Sequence, residues 1–342
     1  MNKGPKDVFP DTSGKVLALC GGVGGAKLAL GLHRILPPES LAIVANTGDD
    51  FEHLGLHVSP DLDTVLYTLA GLNNPETGWG RANETWTFME ALSTLGGESW
   101  FMLGDGDLAI HVERTRRLRA GETLTEVTRD FASRLGLNTA LLPMSDDPVR
   151  TLVRTDEGVL EFQRYFVQLR CAPIARGFIY EGAAQAAPNP ALMAMLGAPD
   201  LAMVVICPSN PYLSVDPILA LPGVRDALAT CAAPVVAVSP IVAGQAVKGP
   251  AAKIMAELGV PRTQSAIARH YEGLIDGLVV DETDVAESRD LALPVEVTHT
   301  LMKSLDDRMA LAQHLISFAA RLRNSGNRRR PTGRQRAGRG GA

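Results

Sequence analysis

Cys20-Gly21-Gly22-Val23-Gly24-Gly25-Ala26-Lys27 lies between a short apolar run, Val16–Cys20, and a segment, Ala26–Leu36, whose apolar residues recur at helical spacing until Pro37-Pro38 stops it. A buried strand, a glycine turn over Gly21–Gly25 and a helix in that order open a βαβ unit. Glycines there let the backbone come close to a ligand and aim N–H groups at it, while the helix N-terminus adds its partial positive charge. Together these suit a phosphate. Gly21, Gly22, Gly24, Gly25 and Lys27 are therefore candidate nucleotide- and phosphate-binding residues. The loop is not a Walker A motif, because Leu28 stands where Ser or Thr would hold magnesium, and it lacks a clean GxGxxG. Such a turn also occurs where a strand merely meets a helix tightly.

Working outward, Leu41–Ala45 is a second buried strand that runs into Asn46-Thr47-Gly48-Asp49-Asp50. Ser59-Pro60-Asp61 reads as a helix start, with Ser59 as cap and Pro60 in the first helical position, leading into Leu62–Leu72. Between about 78 and 170 the pattern is mainly helical, near Glu84–Leu95, Ile110–Leu118 and Leu124–Leu135, followed by a β-like stretch Leu160–Leu169. This segment reads as a lobe inserted beside the sheet. Buried strands return at Ala202–Cys207, Pro234–Val238 and Gly277–Val280. The pattern predicts an α/β fold: a Rossmann-like, doubly wound, mainly parallel sheet with an inserted, mainly helical lobe.

The 342 residues, 46% of them apolar, suffice for one large domain, expected over 14–323. No stretch approaches the roughly 18 to 20 apolar residues needed to span a bilayer, and residues 1–15 are too polar for a signal peptide, so a cytoplasmic protein is expected. The four cysteines lie far apart without a CxxC pair, which argues against a zinc knuckle or a disulfide framework and for buried thiols. Eight of the 33 basic residues fall in 321–342, which contains no acid, so the body carries 25 basic against 38 acidic residues. An Arg- and Gly-rich tail over 324–342 is too polar to pack and is expected to be disordered. No nucleic-acid-binding fold accompanies it, so nucleic acid is not an expected partner.

Asp49, Asp50, Asp61 and Asp63 end one strand and begin the next helix, which can bring all four beside the glycine loop. A dinucleotide fold wants one acid there for a ribose, whereas four would repel a phosphate unless a cation intervened. That points to magnesium, which takes one or two carboxylates plus phosphate oxygens and water. The bland alternative makes Asp61 part of a helix start and Asp50 part of a turn. Polar loops at Leu103-Gly104-Asp105-Gly106-Asp107, Ser145-Asp146-Asp147-Pro148, Pro208-Ser209-Asn210-Pro211 and Ser239-Pro240 can converge on the same crevice. His111, near a helix start, is read as structural. No Ser–His–Asp order or HExxH is present, which suits phosphoryl transfer, where positioning and charge neutralisation supply most of the catalysis.

Gly21-Gly22-Val23-Gly24-Gly25-Ala26-Lys27, Asn46-Thr47-Gly48-Asp49-Asp50, Ser59-Pro60-Asp61-Leu62-Asp63-Thr64-Val65-Leu66-Tyr67, Gly78-Trp79-Gly80, Leu142-Pro143-Met144-Ser145-Asp146-Asp147 and Pro208-Ser209-Asn210-Pro211 resemble, in the same order, the 2-phospho-L-lactate transferase family. The resemblance runs from about Val16 to Phe318. It implies magnesium-dependent transfer of a phospho-acid (phospholactyl, phosphoenolpyruvyl or phosphoglyceryl) from its guanosine diphosphate conjugate to the ribityl hydroxyl of the deazaflavin 8-hydroxy-5-deazariboflavin. GMP is released, in a step of coenzyme F-420 biosynthesis. On this resemblance Asp49, Asp50, Asp61 and Asp63 are the metal set, with Asp50 and Asp63 favoured as catalytic. The glycine loop with Ser209 and Asn210 would hold the nucleotide, and Asp63, Trp79 and Asp105 would face the deazaflavin. A homodimer is left open. One departure is that Gly106 stands where the family often carries arginine, in Gly-Asp-Arg-Asp, which removes a bidentate contact. A nicotinamide-dependent oxidoreductase is disfavoured by the surplus of acids. A non-catalytic nucleotide-sugar-binding regulator of the same superfamily shares the glycine loop, but Ser-Pro-Asp-Leu-Asp-Thr speaks for the transferase.

Overall fold

The computed structural model describes residues 14–325 apart from residue 248. Strands β1 (Lys15–Cys20), β2 (Leu41–Ala45), β3 (Ala140–Pro143), β4 (Leu201–Ile206), β5 (Val235–Val238), β6 (Gly277–Asp281) and β7 (Val295–Thr298) form one sheet in the order β7-β6-β5-β4-β1-β2-β3. Every neighbouring pair is parallel. A parallel sheet is covered on both faces, which is why these strands read as continuous apolar runs rather than alternating ones. Along β1, Val16, Ala18 and Cys20 point to one face and Leu17 and Leu19 to the other, and each set joins a separate hydrophobic core. The first core lies under helix α1 (Gly22–Ile35) and the C-terminal helix Leu305–Ser325. These two helices cross closely at Gly31, where a Cβ would lie 2.2 Å from the Arg308 carbonyl oxygen.

The doubly wound parallel fold agrees with the sequence reading, but several local features differ. Gly22 to Gly25 are the first turn of α1 rather than a turn preceding it. Helix α2 (Pro60–Leu69) does begin with Pro60, yet Ser59 makes no capping bond and donates its hydroxyl to Asp50 instead. Helices α3 (Thr87–Thr94), α4 (Asp105–Arg119) and α5 (Leu124–Arg134) fill the expected helical segment, the last with a Thr123/Glu126 capping box. That segment is not wholly apart from the sheet, because β3 returns to its edge beside β2. Of the β-like stretch Leu160–Leu169 only Leu160 and Glu161 are strand, at the end of Gly158–Glu161 in a three-stranded antiparallel sheet with Arg150–Thr155 and Ala175–Glu181. Arg164–Gln168 coils into a π-helical turn that lets Tyr165, with Phe162 just before it, pack on Leu213 and Ile254, so tertiary packing overrides β-propensity there. The last helix reaches Ser325; the tail beyond it lies outside the described residues. Among those residues no helix is long and apolar enough to cross a membrane.

The strand order sets the location of the site. From β1 the chain winds outward through β2 and β3, then returns to the other side of β1 for β4, β5, β6 and β7. The loops after β1 and β4 therefore diverge, and such a switch point opens a crevice at the carboxyl ends of the strands.

Candidate active site at the switch point

The loop after β1 and the loop after β4 close on one another at the switch point. Ser209 Oγ accepts a hydrogen bond from Gly21 N at 3.1 Å and donates one to Gly21 O at 2.8 Å. Close approach explains the glycines: a Cβ at Gly24 would lie 2.3 Å from Pro208 O, and one at Gly25 would lie 2.6 Å from Ser209 Oγ. At Gly21 a Cβ would meet Asp61 Oδ2 at 2.2 Å. Gly22 takes a left-handed φ of 62° as the helix opens. Packing thus uses Gly21, Gly24, Gly25 and Ser209, while Lys27 sits half-buried in the first turns of α1. Asn210 Oδ1 accepts from Tyr212 N (3.0 Å) and Leu213 N (3.3 Å), leaving its Nδ2 buried without a hydrogen-bond partner.

Asp49, Asp50, Asp61 and Asp63 are all buried and share one neighbourhood. Asn46 Nδ2 holds two of them, donating to Asp61 Oδ2 at 3.0 Å and to Asp49 Oδ1 at 3.2 Å. Burial, with the charges of Asp61 and Asp50 beside it, pushes the Asp49 carboxyl well above the usual carboxylate range. Burial likewise raises Asp61 to about 6, against the opposing hydrogen bonds from Asn46, the Gly22 N–H and Ser214. The first N–H of the glycine helix thus already faces a carboxyl.

A two-residue hairpin turn, with Leu54 and Gly55 both at positive φ, joins Phe51–His53 to Leu56–Val58 and brings His57 back to Asp50. Asp50 Oδ2 accepts from Ser59 Oγ at 2.8 Å and contacts His57 Nε2 at 3.0 Å, whereas Oδ1 is buried without any hydrogen-bond partner. Among the described residues no three His, Cys, Asp or Glu side chains form a ready metal cage, so the four aspartates do not make one together. Asp63 has a different partner. Both its oxygens are bonded by the fork of Arg114, one of them at 3.0 Å, and this arginine is only 1% exposed. Burial opposes the Arg114 charge, but Asp63 outweighs it and holds the arginine more firmly protonated than usual.

Arg114, His57 and Gln163 are not marked by the sequence reading, and Asn46 enters it only as the first residue of the Asn46–Asp50 motif. Gln163 Nε2 lies 3.3 Å from Asp49 O. Arg114 sits in Glu113-Arg114-Thr115-Arg116-Arg117, which looks like a solvated helix face, so only tertiary structure identifies it. His111 has the structural place expected of it, 1% exposed with Nε2 at 3.1 Å from Asp107 Oδ2. Asp146 and Asp147 spend oxygens on Thr125 N and Ala187 N, each at 2.7 Å, and so brace their loop.

Beyond Asp63, Tyr67 donates to Asp107, and Asp107 lines a small cavity of about 60 Å³ with Trp79, Arg81, Glu84, Trp86 and Met102. Trp79 is 55% exposed at its mouth. Asp105 is not in this lining. Its carboxylate accepts from Thr85 Oγ1, Thr87 N and Phe88 N and so caps the start of α3, a structural role beside the expected contact with the deazaflavin.

A family model described as 2-phospho-L-lactate transferase CofD matches residues 16–312. A phosphoenolpyruvate transferase of Streptomyces griseus is 42% identical over 318 residues, covering 90% of this chain and 99% of its own. One from Mycolicibacterium smegmatis is 40% identical, covering 80% and 89%. A 2-phospho-L-lactate transferase of Methanosarcina mazei is 36% identical, covering 88% and 99%. A crystal structure of a UPF0052-family protein of Bacillus halodurans shares the fold, with TM-score 0.54, 15% identity, and coverage of 84% of this chain and 93% of that one.

Proposed function

The chain belongs to the 2-phospho-L-lactate transferase family and is a transferase, and on that premise we propose that it moves a phospho-acid from its guanosine diphosphate conjugate to the ribityl hydroxyl of 8-hydroxy-5-deazariboflavin, in coenzyme F-420 biosynthesis. The phosphoenolpyruvyl group is the cargo best supported, since the bacterial relatives at 42% and 40% identity carry that name. The hydroxyl oxygen forms a bond to the phosphorus bearing the acid, the bond from that phosphorus to the GMP oxygen breaks, and a carboxylate of the cluster takes the hydroxyl proton.

The observation that carries this reading is the meeting of a glycine-loop helix start with buried carboxyls at the switch crevice. The N–H groups that follow Gly22 at the α1 start, Lys27 and the unpartnered Asn210 Nδ2 suit the nucleotide diphosphate. Asp63, held by Arg114, orients the acceptor hydroxyl, and Trp79 offers the deazaflavin ring an exposed apolar face. Magnesium, which needs only one or two carboxylates, would be held by Asp50, whose Oδ1 lacks a partner, rather than by Asp63, whose oxygens Arg114 engages. Magnesium bound there would neutralise charge on the diphosphate.

Asp50→Asn tests the assignment, because it keeps the shape and removes the charge. GMP release over a magnesium titration should fall by at least about a hundredfold while thermal melting shows an intact fold. A folded variant with near-normal turnover sinks the assignment of Asp50.

A further inference from the structure

The cavity beside Trp79 holds two groups that the transfer step leaves unused. Glu84 reaches into it with its side chain 8% exposed. One oxygen accepts from Gly106 N at 2.6 Å, but Oε1 is buried and receives no hydrogen bond. It forms an ion pair with Arg81, whose Nε at 3.6 Å is beyond hydrogen-bonding length. Arg81 is itself loosely held, with Nη1 3.5 Å from Gly106 O and its guanidinium 5.7 Å above the Tyr67 ring. A buried acceptor without a donor thus stands beside a donor fork with weak acceptors.

The loop after Met102 is shaped around this pair. A Cβ at Gly104 would lie 2.3 Å from Glu84 Cδ, and one at Gly106 would lie 3.0 Å from Glu84 Oε1 and 3.4 Å from Arg81 Cζ. The guanidinium beside the loop at Gly106 comes from Arg81.

We propose that Glu84 and Arg81 read a ring lactam edge, an N–H next to a carbonyl, with Glu84 Oε1 accepting from the N–H and Arg81 donating to the carbonyl. This rests on the transferase reading above, and two of its substrates carry such an edge: the pyrimidinedione of the deazaflavin and the guanine of the donor. The partly exposed Trp79, Trp86 and Met102 at the mouth favour a large flat ring and hence the deazaflavin. A cavity of about 60 Å³ takes one edge of a tricycle, leaving the rest over the mouth. A site whose buried polar group needs a donor rejects the analogue that lacks it.

The test is fluorescence titration of 8-hydroxy-5-deazariboflavin and of its derivative methylated at the imide nitrogen into wild type, Glu84→Gln and Arg81→Met, with calorimetric titration of GDP in parallel. Wild type should prefer the parent by at least about tenfold. Both variants should lose about tenfold for the parent, Glu84→Gln should no longer discriminate, and GDP affinity should stay unchanged. Glu84→Gln keeps an oxygen for Gly106 N–H, so it preserves the loop. Weakened GDP binding with deazaflavin affinity intact supports the pair with guanine as its source. Deazaflavin bound equally by all three proteins, without discrimination and with GDP unaffected, overturns the pair while the transferase reading stands. Wild type that binds no deazaflavin, with GDP binding indifferent to both substitutions, overturns the pair and the acceptor assignment together.

Discussion

Arg114→Met should destabilise the protein far more than the loss of one helix residue suggests. The arginine is 1% exposed and answers both oxygens of Asp63, itself 4% exposed, so its removal strands a carboxylate out of water. Breaking a buried pair from one side costs about 3–5 kcal/mol. With an unfolding entropy of about 2.1 cal/mol/K per residue over roughly 310 ordered residues, that is a fall in melting temperature of roughly 5–8 °C. Removing both charges, in Arg114→Met/Asp63→Leu, should recover most of the loss, because a pair replaced by apolar groups is close to neutral. The deficit of the single variant should also shrink as pH is lowered, since a stranded carboxylate escapes its charge by taking a proton. Differential scanning fluorimetry at several pH values, with urea melts as a check, reads all three effects. A single variant that melts within about 1 °C of wild type, or a double variant no better than the single, refutes the reasoning.

Three further outcomes are expected. Gly24→Val places a Cβ where Pro208 O lies at 2.3 Å, so it must part the two loops and abolish the thermal stabilisation by GDP, about 2.7 kcal/mol in wild type at a hundredfold excess over Kd; an undiminished shift would place the nucleotide elsewhere. Asp61, pushed up to about 6 from 3.8, favours folding fully below its unfolded value and loses that contribution as pH rises through about 6. Asp61→Asn cannot ionise, so its stability relative to wild type should climb across that window, and urea melts showing a flat difference contradict the shift. Truncation after Ser325 removes only Arg- and Gly-rich sequence outside the family match, so GMP release should be unchanged; a fall in turnover would give the tail a role.

How far the sequence shows the site depends on the range over which each signal acts. The glycine loop was legible because strand, glycines and helix are consecutive, and a parallel sheet buried on both faces leaves apolar runs that no other architecture explains as simply. The reason for the glycines was not. Ser209 lies 188 residues from Gly21, so a packing constraint across that gap leaves no local trace beyond the glycines themselves. The aspartates show the same division: their crowding follows from two adjacent segments, but their division of labour follows from distant partners. Arg114 lies 51 residues from Asp63 and occupies both its oxygens, while Asp50 keeps an oxygen without a hydrogen-bond partner. The cap that Asp105 gives α3 leaves no local trace either, since an aspartate opening one helix can cap another, and only the chain's return from Thr85 shows that it does. The family is therefore written in short motifs, whereas the partner that each carboxylate takes in the fold is written in long-range contacts.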